Sequence, residues 1–210
     1  MQIIPALIPK NQTELSTKVK KLLGLVTRVQ VDVCDGVFVP SKTQFQNLSS
    51  LDEIEYELDL MIDKPERSIQ DYIEMQPARI VVHLESVSDH VNLFLALEKI
   101  RGIIEVGLSI SNGTPNHVLE KYIEDCDFIQ LMGIAKIGSQ GQSFDERVLE
   151  KISYFHEKYP ELIISVDGSV NNETIKKLAD AGATRFVVGS AIFNEGDIDE
   201  NIANLESLVQ

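Results

Sequence analysis

Only two cysteines, Cys34 and Cys126, occur among the 210 residues. They form neither a spaced metal pattern nor a disulfide framework, which excludes a disulfide-stapled scaffold and fits a reducing compartment. Prolines number seven and no tract is compositionally biased, while 43% of the chain is hydrophobic and 25% charged. Those proportions exclude a disordered chain and describe an ordinary globular one. No stretch approaches the roughly 18 uninterrupted apolar residues of a membrane span. The opening MQIIPALIPK also lacks the basic segment and long apolar core of a secretory signal, so the sequence reads as cytoplasmic, with no membrane partner. Positive charge is scarce as well: 19 Lys and Arg stand against 33 Asp and Glu, for a net charge of −14. Such a surface repels nucleic-acid phosphates unless a local basic stripe exists. The densest cluster, Lys18, Lys20 and Lys21, reads as the solvated face of a helix. An anionic ligand therefore has to be held locally, by backbone N–H groups and helix N-termini.

What is present is a repeat of one unit. Short runs rich in apolar and β-branched residues lie at Gln2 to Leu7, Arg28 to Cys34, Tyr56 to Ile62, Arg79 to Leu84, Ile103 to Ser109, Phe128 to Gly133, Leu162 to Val166 and Arg185 to Val188. Helical spacing fills the gaps, as in Leu15, Val19, Leu22, Leu23, in Val118, Leu119, Tyr122, Ile123, and in Asn172, Ile175, Leu178, Ala179 followed by Gly182. Strands such as Ile163–Ile164 and Phe186–Val188 are apolar on both faces, as parallel strands covered by helices are. Eight strand–helix units at this length predict a single (β/α)8 TIM barrel over residues 1–210, with no second domain.

Working residues of such barrels sit at the C-terminal ends of the strands. Three acids fall there: Asp32 in V-D-V-C-D-G, Asp59 in E-L-D-L-M and Asp167 in S-V-D-G-S. Asp is disfavoured inside strands, so their convergence at one end favours a site over structural turns. Alternation turns Asp32 inward if Val31 and Val33 face the helices. Asp35, before Gly36, reads equally as a turn residue. Three glycine-bearing loops follow the last strands: Gly138, Ser139, Gln140, Gly141 and Gln142 after the sixth, Gly168 and Ser169 after the seventh, Gly189 and Ser190 after the eighth. Together they offer N–H groups to a phosphate. Lys136 in the sixth loop reads as a solvent-facing lysine, a phosphate partner, an electrophile or a Schiff-base nucleophile. His83 and Glu85 read either as catalytic groups or as a hydrogen-bonded pair supporting the barrel mouth.

The stretches V-D-V-C-D-G-V-F-V-P (31–40), L-M-I-D-K-P (60–65), N-G-T-P (112–115), G-Q-S-F (141–144), V-D-G-S-V-N (166–171) and V-G-S-A-I-F (188–193) resemble, in order and spacing, the ribulose-phosphate 3-epimerases of the ribulose-phosphate-binding barrels. The resemblance runs end to end. It implies a sugar-phosphate ligand and an isomerase: one aspartate removes the proton beside the ketone, an enediolate forms, and a second aspartate reprotonates the opposite face. Asp32 and Asp167 match those acids, and Met61 and Met132 match family methionines. The family's metal is held by two aspartates and two histidines. Here the histidine positions hold Gln30 and Asp59, the first-strand serine is Ala6, and Cys34 replaces a methionine.

The candidate metal positions Gln30, Asp32, Asp59 and Asp167 thus offer only oxygen, so zinc is not expected and the expectation is either no metal or a hard ion, Mg or Mn. Without an ion, crowding drives at least one carboxyl pKa upward, and Asp59 is the candidate to keep its proton. Three functions remain open: an epimerase, a sugar-phosphate-binding barrel without turnover, and a Lys136 Schiff-base lyase or aldolase. A symmetric homo-oligomer, as family members often form, is compatible with the chain.

Overall fold

Residue alternation along each strand decides the architecture. On β2 (Arg28–Cys34), Val29, Val31 and Val33 are buried in the apolar layer that the helices cover, while Gln30, Asp32 and Cys34 are buried on the other face. A strand buried on both sides belongs to a parallel sheet enclosed by helices. A computed structural model describes residues 1–45, 48, 53–138, 141–194 and 196–210; the loop residues Ser139 and Gln140 named above lie outside it. Eight parallel strands close in sequence order: β1 (Gln2–Leu7), β2, β3 (Glu55–Met61), β4 (Arg79–His83), β5 (Glu105–Ile110), β6 (Phe128–Met132), β7 (Ile163–Asp167) and β8 (Arg185–Val188), with β8 pairing β1.

The expected single (β/α)8 barrel is therefore observed. Five strands, β3 to β7, are offset by one or two residues from their expected ends. The largest shift is at β5, where Gly102, at φ 78°, closes a turn that leaves Ile103 80% exposed ahead of the strand. The outer layer holds α1 (Gln12–Leu22), α2 (Ile69–Ile73), α3 (His90–Glu98), α4 (Asn116–Glu120), α5 (Arg147–Lys158), α6 (Ile175–Ala181), α7 (Ser190–Phe193) and α8 (Ile198–Ser207). The strict alternation expected from the sequence is not kept. Among the described residues no helix separates β2 from β3, and β8 is followed by two. The Val118–Ile123 face is divided between α4 and a 3-10 turn at Ile123–Asp125. α6 ends at Gly182, in the left-handed conformation at φ 118°, as a C-terminal glycine permits. Among the described residues no helix is long and apolar enough to cross a membrane.

The base of the barrel is closed by charge. Arg79 Nη1 lies 3.1 Å from Glu57 Oε2, and Arg79 Nε and Arg185 Nη2 lie 2.7 and 3.0 Å from Glu105 Oε2. The Phe128 ring sits against both guanidiniums, at 4.8 Å from Arg185 and 5.7 Å from Arg79. Gly107 makes room for it, since a Cβ there would meet the ring at 2.4 Å.

Candidate active site

Register brings the three acids together at the opposite end. Asp32 and Asp59 are paired across β2 and β3, and Asp167 ends β7, paired with Val187 of β8 and Met132 of β6. One oxygen from each of the three carboxylates lies within 4.8 Å of the others, a cluster that could hold a metal ion. Asp32 and Asp59 are buried, and Asp167 keeps some exposure at the mouth.

Amides and an imidazole thread between the acids. Gln30 Nε2 donates to Asp32 Oδ1 at 2.8 Å and to Asp167 Oδ2 at 3.2 Å. Gln130, reaching across from β6, donates from Nε2 to Asp59 Oδ2 at 3.0 Å, and His83 Nε2 lies 2.9 Å from Asp59 Oδ1. Asp59, the acid singled out to hold a proton, thus has both oxygens engaged. Burial, followed by the Asp167 and Asp59 charges, pushes Asp32 well above the usual carboxylate range. Burial and the Asp59 charge push Asp167 up to about 7, with Gln30 and His83 opposing. Burial works to lower the pKa of His83, but the adjacent Asp59 carboxylate holds it above its ordinary value.

These contacts decide what the cluster fits. Its donor atoms are carboxylate oxygens, the ligand type that a hard divalent ion takes. Yet Gln30 turns its N–H group, not its carbonyl oxygen, toward Asp32 and Asp167. The two oxygens of Asp59 are also taken. As arranged, the four candidate positions fit a hydrogen-bonded, proton-sharing cluster better than a coordination shell.

Above the acids opens a small cleft. Asp32 and Asp167 line it, whereas Asp59, Gln30, Gln130 and His83 are buried and do not. The wall is otherwise apolar near the acids, with Ala6, Ile8, Met61, Met132, Ile134 and Val187. The phosphate candidates Gly138, Gly141, Gln142, Gly168, Ser169, Gly189 and Ser190 all line it as well. Gly168 has φ 100°, and a Cβ there would meet Ile134 at 2.7 Å. Ser169, also left-handed at φ 54°, hydrogen-bonds through Oγ to the Gln142 carbonyl, tying the sixth and seventh loops together. Lys136 is exposed and does not line the cleft.

The remaining residues take supporting places. Asp35 accepts from the N–H groups of Val37, Phe38 and Asp63, at 2.8, 2.9 and 2.7 Å, and those bonds hold its carboxyl below the usual range against burial. It is the turn organiser that the D-G pair suggested. Cys34 packs with Val39 and Met61, and burial with the surrounding acids raises its thiol pKa, so it is an apolar filler and no nucleophile. His83 and Glu85 do not pair. Glu85 instead accepts from Ser111 N and Thr114 Oγ1. Sequence reasoning missed Gln130, whose signal is a polar residue at an inward position of the otherwise apolar F-I-Q-L-M strand.

The chain matches the model of the "Ribulose-phosphate 3 epimerase family" over residues 2–193. Among curated proteins it is 29% identical to the ribulose-phosphate 3-epimerase of Schizosaccharomyces pombe, over 99% of this chain and 93% of that one. It is 28% identical to the Bacillus subtilis ribulose-phosphate 3-epimerase (98% of each chain) and 32% to that of Aquifex aeolicus (85% and 82%). Among solved structures, 3-hexulose-6-phosphate synthase from Salmonella typhimurium superposes with a TM-score of 0.72 at 14% identity, covering 100% and 98% of the two chains. 3-Keto-L-gulonate-6-phosphate decarboxylase from Vibrio cholerae gives 0.72 at 13%, covering 99% and 96%. Both likenesses are of fold.

Proposed function

We propose, from the premise that this chain belongs to the ribulose-phosphate 3-epimerase family, that it is an isomerase inverting the carbon beside the ketone of a sugar phosphate through Asp32 and Asp167. The observation that carries the reading is the pair itself. These two carboxyls are the acids of the cluster that line the cleft, they come from β2 and β7, and Gln30 bridges them. A two-base inversion needs one carboxylate to accept a proton and one carboxylic acid to return another. Both carboxyls are raised, with Asp167 at about 7, so a proton shared between them near neutrality supplies that unequal state.

In this reading the loop N–H groups around Gly138, Gly141, Gln142, Gly168, Ser169, Gly189 and Ser190 hold the phosphate, leaving the sugar carbons toward the acids. One aspartate takes the carbon-bound proton, and electrons move into the carbonyl to form an enediolate. The other delivers its proton to the opposite face and ends ionised. Atoms balance within the pair, and the enzyme's proton has moved from one acid to the other. The apolar wall excludes water from the intermediate. Where a hard divalent ion were bound by Asp32, Asp59 and Asp167, it would supply Lewis-acid stabilisation of the enediolate oxygens. Zinc is not expected: elemental analysis of the unmodified protein should find none, while histidine at both Gln30 and Asp59 should create zinc affinity. Stoichiometric zinc in the unmodified protein would overturn this.

Solvent deuterium incorporation at carbon 3 of ribulose, allulose and related phosphates is the direct test, and its absence across the set removes the epimerase reading. Gln30 and Asp59, standing at the family's histidine positions, favour a second reading, a sugar-phosphate-binding barrel without turnover. It predicts saturable binding with no exchange. The exposure of Lys136 speaks against Schiff-base chemistry, and borohydride trapping with a keto substrate should leave it unlabelled.

A further inference from the structure

Three carboxylates with oxygens this close repel one another. An ion, a proton or N–H donors can hold them in place. Two buried glutamines perform the third role here, and each does so by crossing the barrel. Gln30 starts on β2 and reaches Asp167 on β7, donating also to Asp32. Gln130 starts on β6 and reaches Asp59 on β3. Both residues have no solvent exposure. In both, the carbonyl Oε1 is buried without a hydrogen-bond partner.

We propose that Gln30 and Gln130 are positioning residues that clamp the three acids by N–H donation in the arrangement a divalent ion would otherwise impose, so that the site operates with no bound divalent ion. The proposal rests on the epimerase reading for what the acids do. The orphaned carbonyls are the telling feature. Turning the Gln30 amide over to offer oxygen to an ion would break both of its donated bonds, and turning Gln130 over would break its bond to Asp59. Each flip would strip the acids of these N–H donors, so the amides are committed to the acids.

The shared bond explains why an amide suits this position. During inversion the proton carried by the pair passes from one aspartate to the other. Gln30 donates to both, so it supports the site before and after turnover without moving. An amide also stays neutral at every working pH, whereas imidazole does not.

The test uses the full-length protein dialysed against chelator. Unmodified protein should retain its proton exchange with ribulose or allulose phosphate within about twofold and show no Mn²⁺ binding by calorimetry. Gln30→Glu replaces the shared donor with a fourth carboxylate and should bind Mn²⁺ at least about 100-fold more tightly than the unmodified chain, because added ligand charge tightens oxygen sites. Gln130→Met, which keeps the shape and removes the donor, should lower kcat about tenfold with KM within about threefold. Gln30→Met should do the same and serves if Gln30→Glu does not fold. Loss of exchange on chelation with recovery in Mn²⁺, or stoichiometric Mn²⁺ binding by the unmodified protein, overturns the clamp. So does an unchanged kcat in both methionine variants. If no ketose phosphate exchanges a proton with or without added ion, the epimerase reading fails, and the ion titrations still decide the clamp: binding gained only in Gln30→Glu upholds it, and tight binding by the unmodified chain overturns it.

Discussion

At the base of the barrel, Glu57 and Glu105 meet Arg79 and Arg185, while at the mouth Asp32, Asp59 and Asp167 meet one another. Both clusters lie inside the same sheet, and β3 contributes to both. On β3, Glu57 looks toward the base and Asp59 toward the mouth. The base neutralises its charges and stacks them on Phe128, which serves the closure of the barrel. The mouth leaves like charges together, and with burial this raises the carboxyl pKa values of Asp32 and Asp167, an arrangement suited to the proposed proton transfer. Conserving a fold and driving a reaction thus ask opposite things of buried charge.

The largest expected effect breaks the mouth. Asp167→Asn and Asp32→Asn should each lower proton exchange by about a thousandfold, the scale of losing a general acid or base. Their melting temperatures should hold or rise, because a like-charge contact is relieved. A variant losing activity together with stability would show that the mouth, like the base, is structural. At the base the sign reverses. Arg79→Met leaves Glu57 buried without its nearest cation and should cost about 3 kcal/mol or more in urea unfolding. An unchanged midpoint would show that the base is as dispensable to stability as the mouth.

A smaller effect sharpens the contrast through pH. Asp167 is raised from the ordinary carboxylate range to about 7 in the folded state. Below that ordinary range both states hold the proton, and this group contributes nothing to the pH dependence. As pH rises toward 7 the unfolded chain releases its proton and the folded one retains it, so stability falls through this window and flattens above it. Unfolding free energies measured from pH 4 to 8 in the unmodified chain should carry that decline. In Asp167→Asn it should be shallower. Identical profiles would mean that Asp167 titrates as an ordinary acid.

The barrel was legible because period-two burial and helical spacing recur eight times, and β1, β2 and β8 begin and end where the apolar runs do. The three acids were legible for a related reason: Asp is out of place in strands such as E-L-D-L-M. What could not be read was pairing across the interior. Gln130 and Asp59 are 71 residues apart, and Gln30 and Asp167 are 137 apart. Strand register and barrel closure bring them together, and neither is encoded in local pattern. For the same reason the sequence offers His83 a partner only in its neighbour Glu85, whereas the structure gives it Asp59 on β3.

The smallest effect belongs to Lys136, outside both clusters. Lys136→Ala should change exchange rates by less than about twofold and stability by about 0.5 kcal/mol or less, as exposed substitutions do. A tenfold loss of activity would place a third charged element at the mouth and end the two-cluster description.

Gly138 has φ 86°, and a Cβ there would come within 2.5 Å of Val39. The Ser41 hydroxyl hydrogen-bonds to the Gly138 carbonyl from the same side. The loop after β2 and the loop after β6 are thus keyed into each other like interlocking parts, although about a hundred residues of chain lie between them. Anyone grafting a new specificity loop onto this scaffold after β6 would have to keep a glycine at that point or transplant both loops as one module. Recombination between homologues carries the same constraint: a crossover between the two loops joins halves whose contact was never matched, and chimeras broken there should fail more often than those broken elsewhere in the ring.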